Sequence, residues 1–215
     1  MKRALGSLLV LVAATGCSGA PAPSRPGPSG TEDLTALLRT RATTTAGADG
    51  CRPDQVAVTL EGYDAALGHR YTRITVRNVG ERPCRVEGVP GIGVRGVDGS
   101  TFEPEVGRGL PMSGEPAPPD GPVELQPGTA ATSDLEWTGE LAAADAERAA
   151  LVVVQLAVDQ APVAVPARLA GDPADADPLD IGRSTTLRLT AFTALSPEDD
   201  ARPPVDRDGP VRPEK

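Results

Sequence analysis

Few side chains in this 215-residue chain can do chemistry: three cysteines, a single histidine and scattered acids. Cys17 follows Ala14-Thr15-Gly16, behind an apolar run at residues 5–14 that opens after Lys2 and Arg3. A positive start, a short apolar stretch and small residues before the cut are the parts of a secretory signal. A cysteine directly after the small residues marks the bacterial lipoprotein type. Its thiol takes a diacylglyceryl group before cleavage between Gly16 and Cys17. Such signals more often carry Leu where this chain has Ala14. The run of about ten residues is too short to cross a bilayer, which takes roughly 20 in a helix. Residues 1–16 therefore read as a signal peptide and Cys17 as the lipidated first residue of the mature chain. Two or three acyl chains anchor firmly where one anchors only marginally. The expected location is the outer face of the cell membrane, with the membrane itself a partner through Cys17.

With Cys17 assigned to lipid, Cys51 and Cys84 remain, and export places them in an oxidising compartment. A disulfide between them closes a loop whose chain-entropy contribution is about 3.8 kcal/mol. A metal site would lack partners, because no Cys-x-x-Cys occurs and His69 is the only histidine. His69 as a catalytic base would need a nucleophile and an orienting acid, and no Gly-x-Ser-x-Gly supplies one. The reading is a strand start, with His69 hydrogen-bonded in a loop and Tyr71 capping the core. Asp172, Asp175, Asp177 and Asp180 could collect Ca²⁺, but their spacing is not that of an EF-hand; a solvated acidic loop is the plainer reading, and cation binding stays open. Arg73 and Arg77 project from one strand face, with Arg70 close by. They could meet acidic envelope polymers or keep an edge strand from pairing. Glu103 and Glu105 share a strand face, the feature a wall-directed hydrolase would need. No catalytic residue, cofactor or metal is expected.

The net charge is −9 and aromatics are 2% of the chain; loss of Lys2 and Arg3 takes the charge to −11. An acidic chain with few aromatics excludes nucleic acid as a partner. Ala, Gly, Pro, Val, Arg and Asp dominate while Lys is nearly absent, the mark of a high-GC genome and, with the lipoprotein signal, of an actinobacterium.

The elements that would position these groups are strands. Residues 18–50 read as a linker rich in Pro, Ser and Gly, holding a short helix at 31–39 capped by Thr31. From Gln55 the period becomes two. Val56, Val58 and Leu60 alternate with Ala57, Thr59 and Glu61, and Thr72, Ile74 and Val76 point inward from a strand at 69–78. Further strands are expected at 84–87, 92–97, 101–106, 129–137, 151–158, 163–167 and 185–192. The inward set at 129–137 is Ala131, Ser133, Leu135 and Trp137. Residues 141–150 read as a helical turn and 107–121 as a long loop. About seven to nine short strands without a βαβ rhythm argue for an all-β antiparallel sandwich.

Cys51, Gly68-His69-Arg70-Tyr71, Asn78 ahead of Cys84, Gly88-x-Pro90-Gly91, Asp98-Gly99, Leu125-x-Pro127-Gly128 and Trp137 occur in that order. As a set they resemble an actinobacterial family of secreted and lipid-anchored proteins, domain of unknown function forty-two thirty-two. The resemblance covers residues 51–195 and implies an immunoglobulin-like β-sandwich, with no established activity to carry over. Members often show Tyr where this chain has Val89, and many have a second cysteine pair absent here. The expected layout is a signal peptide at 1–16, a lipidated Cys17 with a flexible linker to 50, the sandwich at 51–195 and a disordered tail at 196–215. The expected role is non-enzymatic binding of an envelope protein or cell-wall component through the loops at 107–121 and 88–91. The alternatives are a wall-directed hydrolase or transferase, and a structural spacer.

Overall fold

The computed structural model describes residues 33–109, 121–138 and 147–200. The signal at 1–16, Cys17, the linker up to 32, most of the 107–121 loop, the turn at 141–146 and the tail from 201 lie outside the described residues. The chain opens with a 3-10 turn, Leu34–Leu37, and β1, Leu38–Thr40. There follow β2 Val56–Ala66, β3 His69–Asn78, β4 Cys84–Val86, β5 Gly91–Gly96, β6 Glu105–Arg108 and β7 Val123–Leu125. The second half supplies β8 Ala130–Thr138, β9 Ala149–Gln155, β10 Val163–Pro166, β11 Thr186–Leu189, β12 Thr193–Ala194 and a helical turn, α1, Pro197–Asp200.

A six-stranded sheet runs β2-β3-β8-β11-β6, with β12 paired to β8; a four-stranded sheet runs β1-β5-β9-β10; β4 and β7 form a two-stranded ribbon. The alternation read in β2, β3 and β8 holds. Leu60, Ile74, Leu135 and Trp137 of the larger sheet and Ile92, Val94, Val152 and Val154 of the smaller one are fully buried in one core. The polar member of the inward row, Ser133, is satisfied by donating to the Thr190 carbonyl at 2.7 Å. Apolar residues on one face of each sheet leave face-to-face packing as the way to hide both.

Three departures have physical reasons. The segment expected to be linker is ordered well before Cys51. β1 pairs with β5 (Leu38 opposite Gly93, Thr40 opposite Ile92), the Ala42 amide donates to Gln155 Oε1 at 3.2 Å, and Val158 N–H donates to the Thr44 carbonyl at 2.9 Å. Leu37 and Ala42 are buried in consequence. Gly93 makes the approach possible, since a Cβ there would stand 1.9 Å from the Leu37 carbonyl oxygen. The helix expected at 31–39 is only a 3-10 turn, capped by Asp33 rather than Thr31, because the sheet takes the chain from Leu38 onward. Gly93→Val should therefore dislodge this strap at a cost of about 1–3 kcal/mol. Limited proteolysis then cuts before Gly50 in the variant and spares the parent.

The second departure is that the larger sheet is not wholly antiparallel: β11 and β6 run parallel, Thr186 opposite Glu105 through Leu189 opposite Arg108. Parallel neighbours need a long crossover, and these strands lie far apart in the chain. The third concerns the tail, whose first residues form α1, where Asp200 is held by the Arg77 guanidinium.

Candidate functional site

The polar residues of the larger sheet collect on its outer face in cross-strand rungs. Thr59, Thr75, Thr132 and Thr193 stand in register across β2, β3, β8 and β12. Glu61, Arg73 and Asp134 form the next rung, and Asp64, Tyr71, Glu136 and Arg188 the one beyond. A bulge between Glu61 and Asp64, centred on Gly62 with φ of 70°, keeps both acids on this face. The extra residue turns Tyr63 inward, where its ring meets Trp137 with centroids 6.3 Å apart. Tyr63 thus fills the place expected of Tyr71, which lies on the outer face opposite Glu136.

Glu136 is the residue the sequence reading missed. Its carboxylate is 5% exposed, Oε1 sits 2.6 Å from His69 Nδ1, and Oε2 has no hydrogen-bond partner among the described residues. A buried ionised oxygen without a partner is costly, so its retention marks the rung. Alternation alone placed residue 136 outward between Leu135 and Trp137. Its neighbours His69, Tyr71 and Arg188 follow only from the strand register.

Arg70 points the other way from Arg73 and Arg77. Its Nε is 3.3 Å from Asp180 Oδ2, while Trp137 Nε1 donates to Asp180 Oδ1 at 3.0 Å. Asp172 is also used locally, accepting from Leu169 N–H at 3.2 Å. Among the described residues no three metal-ligating side chains converge. Glu103 and Glu105 are both exposed, on either side of buried Pro104. The turn at 88–91 is not open for recognition. Val89, Pro90 and Gly91 are buried beneath the N-terminal strap, with Thr43 N–H donating to the Val89 carbonyl at 3.0 Å and Val89 N–H to Thr43 Oγ1 at 2.9 Å. A shallow recess of about 330 Å³ lies beside Cys51, lined among others by Thr44, Arg85 and Gln160. Cys51 and Cys84 form a disulfide, each sulfur-bearing residue buried.

Burial pushes the Asp134 carboxyl above its ordinary value, and the facing Arg73 guanidinium offsets this only in part. A carboxyl raised in the fold favours the native state at acid pH and burdens it once ionised. Asp134→Asn should therefore raise the urea midpoint at neutral pH. The gain should vanish by about pH 3, where both states of the parent are protonated; midpoints of both proteins across that range check it.

An all-β sandwich with a disulfide-pinned end and a polar, rung-built sheet face defines the class. The stretch from Cys51 to Thr193 matches the family described as Domain of unknown function (DUF4232), and the chain belongs to that family. No curated protein matches the chain, and no solved structure does. The motif residues that carry the family resemblance have structural work here. Asn78, fully buried, donates through Nδ2 to the Arg82 and Leu125 carbonyls at 2.8 and 2.9 Å and accepts from Gly80 N–H at 3.0 Å. It ties the turn before Cys84 to the Leu125-x-Pro127-Gly128 turn.

Proposed function

We propose that this protein is a lipid-anchored component of the cell envelope, held through Cys17 on the outer face of the membrane, and that it acts as a non-enzymatic binding module. The observation that carries the binding reading is the outer face of the six-stranded sheet. There Glu136, buried with one carboxylate oxygen unpaired among the described residues, lies in register with Tyr71 and Arg188. Strands hold these groups rigidly, and a rigid face with an aromatic ring, a guanidinium and a carboxylate suits the hydroxyls, amides and carboxylates of cell-wall polymers. Location at the envelope is supported by the signal ending at Gly16-Cys17 and by the disulfide, which belongs to oxidising compartments.

Co-sedimentation of the protein with insoluble purified cell wall tests it. Binding is expected, weakened at least tenfold by Tyr71→Ala and by Arg188→Ala, with Val79→Ala at the opposite end without effect. Absence of binding, or binding indifferent to both substitutions, refutes it. A second reading, a wall-directed hydrolase, is favoured by one observation, the 2.6 Å contact that orients the His69 imidazole on Glu136. Release of soluble wall fragments that is abolished by His69→Ala would replace the binding reading with this one.

A further inference from the structure

The β2–β3 hairpin ends in Leu67-Gly68, with φ of 51° at Leu67 and 86° at Gly68. Two-residue hairpins with both central residues at positive φ favour Asn-Gly or Asp-Gly, and Leu is ill suited to the left-handed region. Leu67 is the only non-glycine residue at positive φ among those described, and it is 94% exposed. Its side chain meets neither its backbone preference nor its solvent preference. Ala65 and Ala66 beside it are also exposed. His69 lies opposite Thr138, the last residue of β8, so the tip projects beyond the sheet. Such a conflict between local preference and retained residue is expected where a residue serves contact rather than folding.

The placement of the tip identifies what it contacts. Thr185 Oγ1 donates to the Thr138 carbonyl at 2.7 Å; nearby, the Arg183 guanidinium pairs with Glu147, which also accepts from Ser100 Oγ. Val97, the neighbour of Gly96 and 62% exposed, lies at this same end of the sandwich. β1 runs antiparallel to β5, and stepping back from Thr40 to Leu38 moves from Ile92 to Gly93, toward Gly96. The polypeptide therefore enters the sandwich from the end that carries Leu67 and Val97. The roughly 16 residues between Cys17 and Asp33 span at most about 55 Å, so an acylated Cys17 keeps this end within reach of the bilayer at high effective concentration. Val79, the third exposed large apolar residue, sits at the opposite end.

We propose that the Leu67 hairpin tip, with Val97, is a membrane-contact site that inserts into the lipid interface and sets the orientation of the tethered sandwich. The proposal rests on the anchoring of Cys17. It is tested with the full chain, purified with its lipid and reconstituted into vesicles of phosphatidylglycerol and phosphatidylcholine. An environment-sensitive label is placed through Leu67→Cys, Val97→Cys or Val79→Cys. Labels at 67 and 97 should be blue-shifted and quenched by spin-labelled lipid, and the label at 79 should not. A label at 67 that behaves like the one at 79 overturns the proposal while leaving anchoring intact. A purified chain without a diacylglyceryl mass on Cys17 overturns both readings. Leu67→Asn should raise the thermal midpoint and reduce quenching at 97; a lowered midpoint overturns the argument from backbone strain.

Discussion

Replacing Cys51 and Cys84 together by alanine lowers the stability of the domain by about 3–4 kcal/mol in urea denaturation. The bridge spans a sequence separation of 33, and closing a loop of that length removes about 3.8 kcal/mol of chain entropy from the unfolded state. The native state adds to the dependence. Cys51 N–H donates to the Arg85 carbonyl and Arg85 N–H to the Asp49 carbonyl, both at 2.9 Å, and Gln160 Nε2 donates to the Cys51 carbonyl at 2.9 Å. The bridge thus holds the chain that leads from the strap into β2. Both cysteines are nearly inaccessible, 2% and 3% exposed, so thiols in native buffer should reduce the bond slowly, because attack requires access to a sulfur. A double variant within about 1 kcal/mol of the parent, less than the usual range for a native bridge, would show the constraint to be redundant.

Trp137→Ala is expected to cost about 3–5 kcal/mol, the range for deleting a buried aromatic ring. Trp137 is fully buried between the sheets, its ring meets Tyr63, and its indole nitrogen donates to Asp180. The alanine variant loses the ring, opens a cavity and leaves Asp180 with Arg70 alone. Trp137→Phe separates the two contributions. It keeps most of the apolar volume and removes the donor, so its cost should fall to about 1–3 kcal/mol, that of a partly desolvated acceptor left short of a partner. Urea unfolding followed by circular dichroism measures both variants. Equal costs would mean that the indole hydrogen bond, and not the ring, carries the effect.

What was legible in the sequence were the strands with a period of two. In β2, β3 and β8 every second residue is apolar and buried, and the pattern by itself names the inward face. The strap was not legible. Leu38–Thr40 has no alternation of its own, and its place depends on Gly91 and Gly93, distant residues whose lack of a Cβ admits another backbone. The two tyrosines exchanged roles for a similar reason, since the bulge at Gly62 reverses the facing of everything after it in β2. The pairing of His69 with Glu136 needed the register of β3 against β8, which sequence spacing does not contain. The disulfide was accessible because the cysteine count left one pair once Cys17 was assigned.

The parallel pairing of β6 with β11 has a consequence for how the chain is made. β11 fills the slot between β8 and β6, so the larger sheet has a gap until residues 186–189 are present. Cys51, Cys84, β2, β3 and β8 all precede that segment in the chain and are available to one another earlier. Non-local pairings of this kind are slow, and unpaired strand edges invite association with other chains. A polypeptide emerging N-terminus first therefore completes its hairpins and its bridge before its sheet. A nascent chain halted ahead of Thr186 exposes the free edge of β8, and quality control at the cell surface meets that edge in every truncated copy.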